Sequence, residues 1–426
     1  MLRVRTGTLS RMSQPESHEA ISLPSLDRIA AALHDITEVL AAELTKPSEQ
    51  PPEWNEFDWR IARAAASMQG IAPALRDGLR WPETHGWREF IDGQYAHVAA
   101  RHARMSALLK TINGEATEVG VAIVALKGAA LHELGVYQPG ERPMADLDFL
   151  VSESDLAATT MLLERCGFKQ TFATWRHQLF EMPGDGDANA DLGEHRDRPL
   201  KIELHTSIRE RLPVSEIEIT GFVLPEDPHP GLNRYRSLAG LMLHLLLHAA
   251  GNMRAHALRM IQLHDLARLA QRMSADDWHE LVTARPGGTP PWWASPPLLL
   301  TARYYPGVVP PLIMERVAAG CPRWLARISR KQQIAQVSWS NIKVYAFPGI
   351  EWSRNPVEAL IFVAGRIWPS RAARIELREF SARDPYAAKI PWYGISHGAR
   401  ILRWIFSRPP RVQTLLAVQA ALAQRC

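Results

Sequence analysis

The chain has 426 residues, of which 46% are hydrophobic and 22% charged, enough for two or three packed units and unlike a disordered or fibrous protein. Its three cysteines, Cys166, Cys321 and Cys426, form no CxxC pair, which argues against a zinc finger, an iron–sulfur site or a disulfide scaffold and fits a reducing compartment. Net charge is only +4, yet from Cys321 onward 17 Lys/Arg stand against 5 Asp/Glu, so this last quarter faces either an anionic partner or solvent as a basic surface.

Residues 1–22 are polar without an apolar period and are expected to be disordered. Residues 23–117 read as an N-terminal helical region. Ile29, Leu33, Ile36 and Leu40 recur at helical spacing, a Pro-rich loop follows at 47–55, and further helical patterns run over 57–80 and 86–117. The pattern changes at Val121–Leu126, a short apolar β-rich run closed by Lys127-Gly128 and a short helix at 129–134. A turn through Arg142 and Pro143 leads to a second strand over Ala145–Val151. Ser152 then caps a helix over 153–166 that Gly167 ends. Phe168–Thr174 and His177–Met182 form a hairpin pair, 183–199 is a Gly/Asp-rich loop, and Leu200–His205 alternates as a half-buried strand should. Residues 118–225 thus make a β-rich core, and 235–426 a C-terminal helical region with a basic surface. The most apolar run, Leu238–Ala250, is too short to span a bilayer and carries His244 and His248. No early apolar stretch of signal-peptide type occurs, so a soluble, cytoplasmic protein is expected.

Asp146 and Asp148 stand at i and i+2, which on a strand places both carboxylates on one face. Two such acids repel unless a cation lies between them, and Mg²⁺ takes oxygen ligands of this kind together with substrate phosphates. Glu203, on the alternating strand, offers the further carboxylate that a two-metal site requires. A lone D-x-D is weak evidence, since solvated acids at a strand end look the same. The order of parts strengthens it: a strand ending in Lys-Gly at a helix start, an acidic strand, then a second acidic strand.

Leu126-Lys127-Gly128, then Arg142-Pro-Met-Ala-Asp146-Leu-Asp148-Phe-Leu-Val151, Cys166-Gly167-Phe168 and Ile202-Glu203-Leu-His205 resemble the uncharacterised nucleotidyltransferase family of the polymerase-β-like superfamily. The resemblance covers residues 120–270 well and the helical flanks loosely. It implies an α+β fold, a small mixed sheet embedded between helical regions. It also implies catalytic, Mg²⁺-binding (or Mn²⁺-binding) roles for Asp146, Asp148 and Glu203. Where the superfamily has Gly-Ser or Gly-Gly, this sequence has Lys127-Gly128; a helix N-terminus there still offers N–H groups to phosphate, and Lys127 adds a point charge. Arg142 is placed to grip a triphosphate bidentately. The region containing His248, Arg259 and Asp265 resembles the family's helices that cover the nucleotide, which makes His248 and Asp265 nucleotide-binding candidates, with a helix-to-helix polar contact as the alternative for Asp265. His244 and His248 share a helical face at i, i+4, but without the glutamate of an H-E-x-x-H motif zinc is disfavoured.

The implied activity is transfer of a nucleoside monophosphate from an NTP, with ATP favoured, to an unidentified hydroxyl or phosphate on a small molecule, peptide or protein. Kinase-like phosphoryl transfer in natural-product tailoring, and a non-catalytic nucleotide- or RNA-binding or toxin–antitoxin module, are the alternatives. Trp324, Trp339, Trp352, Trp368, Trp392, Tyr393 and Trp404 interleave with basic residues. That pattern suits single-stranded nucleic acid or a membrane interface, but helical core with a basic rim is the preferred reading.

Overall fold

A computed structural model describes residues 24–174, 176–183, 192–283, 290–371, 373–375 and 396–423. The expectation for residues 1–22 therefore falls outside the described residues, as do Trp392 and Tyr393. Helix α1 (Leu26–Thr45) starts where the Ser25 side chain accepts from the Arg28 amide, and it buries Ile29, Leu33, Ile36 and Leu40. Helix α2 (Glu56–Gln69) begins with a reciprocal Asn55/Asp58 capping box. It stops at Gly70, well short of the helix expected to residue 80. Gly70 takes the left-handed conformation (φ 69°), its N–H bonds back to Ala66 and Ser67, and Pro73 follows to prevent continuation. Helix α3 (Trp87–Val119) matches its expected span and ends on Gly120.

The α+β expectation holds. Strands β1 (Ala122–Ala125), β2 (Leu147–Leu150), β3 (Lys169–Ala173), β4 (Gln178–Glu181) and β5 (Lys201–His205) lie in one mixed sheet. A short hairpin of β6 (Arg209–Leu212) and β7 (Ser215–Glu218) stands beside it, and β8 (Gly231–Asn233) joins the sheet after it. The six-stranded order is β3-β4-β5-β2-β1-β8. Helices α4 (Lys127–Glu133) and α5 (Leu156–Arg165) fill the connections after β1 and β2. The sixth strand, β8, lies beyond the stretch read as core from the sequence and pairs parallel to β1.

Alternation along the strands separates two faces. Leu147, Phe149, Ile202 and Leu204 belong to a core shared with Met105, Ile112, Leu162 and Leu163 of α3 and α5. Val124 and Leu150 point the other way, into a larger core with α6 (Leu238–Arg254) and α7 (Met260–Ala270). Ser237 caps α6, accepting from the Gly240 amide at 3.0 Å. That larger core also contains α1, α2 and the C-terminal helix Val412–Ala423, so the helices from the two ends of the chain pack into one body. Arg60 of α2 donates to the Leu422 carbonyl at 2.7 Å. Trp352 is fully buried, as the core reading requires, whereas Trp324 and Trp368 are exposed. No helix among the described residues is long and apolar enough to cross a membrane.

Candidate active site

The site lies on the sheet face that looks toward α6. Strands β2 and β5 run parallel with Asp148 directly opposite Glu203 and Leu150 opposite His205, so the two carboxylates share a face at neighbouring-strand spacing. β1 ends alongside: the Leu126 amide donates to the Asp148 carbonyl at 2.9 Å, and the chain then turns into α4. This delivers Lys127 to the acids. Its ammonium lies 2.7 Å from Asp148 Oδ1, and its backbone has φ 48°, a left-handed conformation that a non-glycine residue holds only under constraint from its surroundings.

Gly128 follows because nothing larger fits. A Cβ there would meet the Met144 side chain at 2.9 Å and collide with the Arg142 guanidinium. The helix start offers fewer amides than expected, since the Lys127 N–H already donates to the Tyr235 hydroxyl (3.1 Å) and the Ala129 N–H to the Leu126 carbonyl. Tyr235 is in turn 2.8 Å from His244 Nδ1 on α6.

Asp146 sits just before β2 rather than in it, because the strand begins at Leu147. The carbonyls of Met144 and Ala145 accept from the buried Arg101 guanidinium (3.2 Å each), so a side chain satisfies this stretch instead of a neighbouring strand. Burial pushes the Asp146 carboxyl up to about 7, and the charges of Asp148 and Glu203 add to the effect against Lys127 and Arg259. Burial also opposes the charge on Asp148, but Lys127 and His205 more than offset it and hold that carboxyl well below the usual range. The His205 imidazole stands 3.3 Å from Asp148 and 3.7 Å from Glu203, and these contacts raise its pKa against the effect of burial.

His177, not singled out from sequence, faces Glu203 at 3.7 Å from the start of β4. A ring nitrogen of His177, a carboxylate oxygen of Glu203 and a ring nitrogen of His205 all lie within 4.8 Å of one another. The antiparallel pairing of Gln178 with Leu204 explains this, since it sets His177 opposite His205. The pairing of β4 with β5 across a long loop is the information that a strand-by-strand reading lacks. Tyr235 had no sequence signal at all.

Arg142 and Asp265, each a candidate nucleotide contact, are joined to each other, so Asp265 makes a polar contact within the protein, the alternative expected for it. Arg142 Nε and Nη2 donate to the two Asp265 oxygens at 2.7 Å each, and the Tyr137 hydroxyl donates to the same carboxylate at 2.9 Å. This buried, bidentate fork ties the turn before Asp146 to α7. His248 lies on α6 with its Nε2 at 3.1 Å from the Asn252 amide; burial, then Lys127, push its pKa down to about 3, so it is neutral. The structure thus brings Lys127, Asp146, Asp148 and Glu203 to one place beneath α6, with Arg142 and Asp265 forming its side wall.

The family model described as uncharacterised nucleotidyltransferase matches residues 55–286, more than half of the chain and every residue of this site. The chain belongs to that family. It is a nucleotidyltransferase, a transferase of phosphorus-containing groups, and its substrate class is accordingly a nucleoside triphosphate. No curated protein and no solved structure matches the chain.

Within this nucleotidyltransferase the donor set can be tested against a divalent cation. Asp148 and Glu203 lie opposite each other on β2 and β5 with Lys127 as their counter-charge, and their negative charge adds to the effect of burial in raising Asp146. A hard cation with oxygen preference relieves that repulsion, so the residues present fit Mg²⁺.

Proposed function

We propose that this nucleotidyltransferase moves a nucleoside monophosphate from an NTP, ATP first among them, to a hydroxyl or phosphate of an acceptor. Asp146, Asp148 and Glu203 would hold Mg²⁺, with Mn²⁺ as a substitute. The observation that carries the reading is the register of β2 against β5, which sets Asp148 beside Glu203 within reach of Lys127. When bound, the metal supplies charge neutralisation at the phosphates and lowers the barrier to attack at phosphorus.

The protein's own groups have separate tasks in this scheme. Lys127 exchanges part of its pairing with Asp148 for the triphosphate, and its ammonium offsets the charge that accumulates on the leaving pyrophosphate. Glu203 takes the proton of the acceptor hydroxyl as that oxygen attacks the α-phosphorus in line; the bond from the α-phosphorus to the bridging oxygen breaks, and pyrophosphate leaves with that oxygen. His177 and His205 flank Glu203 and hold its carboxylate in place. The Arg142–Asp265 fork fixes the approach to Asp146, and the neutral His248 on α6 borders the nucleotide. Catalysis is then mostly positioning and electrostatics.

Calorimetric titration with each of the four common NTPs, with and without Mg²⁺, tests the assignment. ATP should bind tightest, only with the cation, and at least ten-fold more weakly to the Asp146→Ala/Asp148→Ala double variant. Equal binding without divalent metal, or unaltered binding by the variant, would remove the metal site from the scheme.

A further inference from the structure

A cavity of about 510 Å³ opens beyond the C-terminal end of α6. Three arginines from separate parts of the chain reach it: Arg254 closes α6, Arg366 comes from the helix Pro356–Ile367, and Arg411 precedes the C-terminal helix. Trp339, Tyr345 and Phe362 supply its apolar wall, and among the described residues no aspartate or glutamate lines it.

The arginines are held in place. Arg366 Nε donates to the Ala346 carbonyl at 3.2 Å, and its guanidinium lies over Trp404. Arg411 lies 5.0 Å over the Trp339 ring. The Arg254 stem passes against Gly349, where a Cβ would meet the Arg254 carbonyl at 2.7 Å; that glycine has φ 83° and lets the loop close onto the arginine. Two polar atoms here, Arg254 Nε and His256 Nδ1, are buried without a hydrogen-bond partner among the described residues. The acids that act on Arg254 are Glu210, itself ion-paired with Arg176, and Glu351, outside the cavity lining. Burial works against charge on all three arginines.

Three guanidinium groups around one cavity repel one another, and a multiply charged oxyanion relieves this while accepting the forked hydrogen bonds that arginine donates. The volume falls in the range of small-molecule sites and exceeds what a bare phosphate fills. We propose that this cavity binds the phosphate monoester of a small organic molecule, its phosphate on Arg254, Arg366 and Arg411 and its body against Trp339, Tyr345 and Phe362. The site is separate from the carboxylates: His248, the nearest of the active-site histidines on α6, lies six residues before Arg254, about 9 Å along the helix axis. Through Arg366 and Arg411 it also gives a specific role to part of the excess positive charge of the last quarter of the chain.

Titration of the full chain with phenyl phosphate, inorganic phosphate and benzoate, followed by calorimetry, tests the proposal. Phenyl phosphate should bind at least ten-fold tighter than either of the others, and Arg254→Gln and Arg411→Gln should each weaken it at least ten-fold. Lys127→Ala should leave its binding unchanged. Should the Arg254 variant fail to fold, Arg366→Gln, which changes a half-buried side chain, carries the same comparison. Binding that survives the arginine substitutions, that is lost with Lys127→Ala, or that is no tighter for phenyl phosphate than for benzoate would overturn the assignment.

Discussion

Asp146 and Asp148 lie two residues apart yet meet opposite fields. Asp148 has the Lys127 ammonium and the His205 ring against it, whereas Asp146 is buried beside two anions and is raised to about 7. A carboxyl whose folded value exceeds its unfolded value of about 3.9 adds stability that is fully present below the unfolded value and lost as pH rises through about 7. In chelator-treated protein, melting temperature should therefore fall from pH 5 to pH 8 more steeply for the parent than for Asp146→Asn, with the variant the more stable at pH 8. Scanning calorimetry across that range reads both slopes, and identical slopes would mean that Asp146 does not carry the strain. The Arg142–Asp265 fork gives a second test. Asp265→Asn leaves a buried guanidinium short of its counter-charge, so urea denaturation should show a loss of about 3–5 kcal/mol. A loss below about 1 kcal/mol would show the fork to be structurally idle.

Among the elements, α6 bears on both the packing and the chemistry. Its leucines fill the core under the sheet, and His244 and His248 emerge from the same turns toward Lys127. Leu246 is fully buried, and Leu246→Ala should cost about 2–5 kcal/mol in denaturant unfolding, with nucleotide binding weakened as the helix loosens over the site. Unchanged stability would contradict the packing. This helix and most strands were legible because their apolar periods are strong, and Ser152 marked the start of the helical segment after β2. The three-residue β8 was not, because so short a strand has no period and exists only through its pairing with β1. For the same reason Lys127, Asp148 and Glu203 could be named one by one, while His177 and Tyr235 could not. Their place in the site comes from a strand pairing and a hydrogen bond between segments distant in sequence. Arg142 and Asp265 were both visible, but their bond to each other spans 123 positions and leaves no local trace.

At the scale of the whole molecule, the sheet and its carboxylates are set against a helical body assembled from both ends of the chain. Val418 and Leu422 of the C-terminal helix are buried with Trp59 and Ile61 of α2. Ending the chain after Arg411 should thus lower unfolding free energy by at least about 3 kcal/mol, from two large apolar side chains at about 1.5–3 kcal/mol each. Thermal melts that match the full chain would show instead that this helix is an appendage. The account's central claim, nucleotidyl transfer at the Asp146/Asp148/Glu203 site, is tested most directly by label transfer. The protein, Mg²⁺ and an extract as acceptor source are supplied with ATP carrying ³²P at either the α- or the γ-phosphorus. The account predicts that α-label enters a product, γ-label leaves as pyrophosphate, and Asp148→Asn abolishes the transfer; γ-label in the product, or undiminished transfer by the variant, would contradict it.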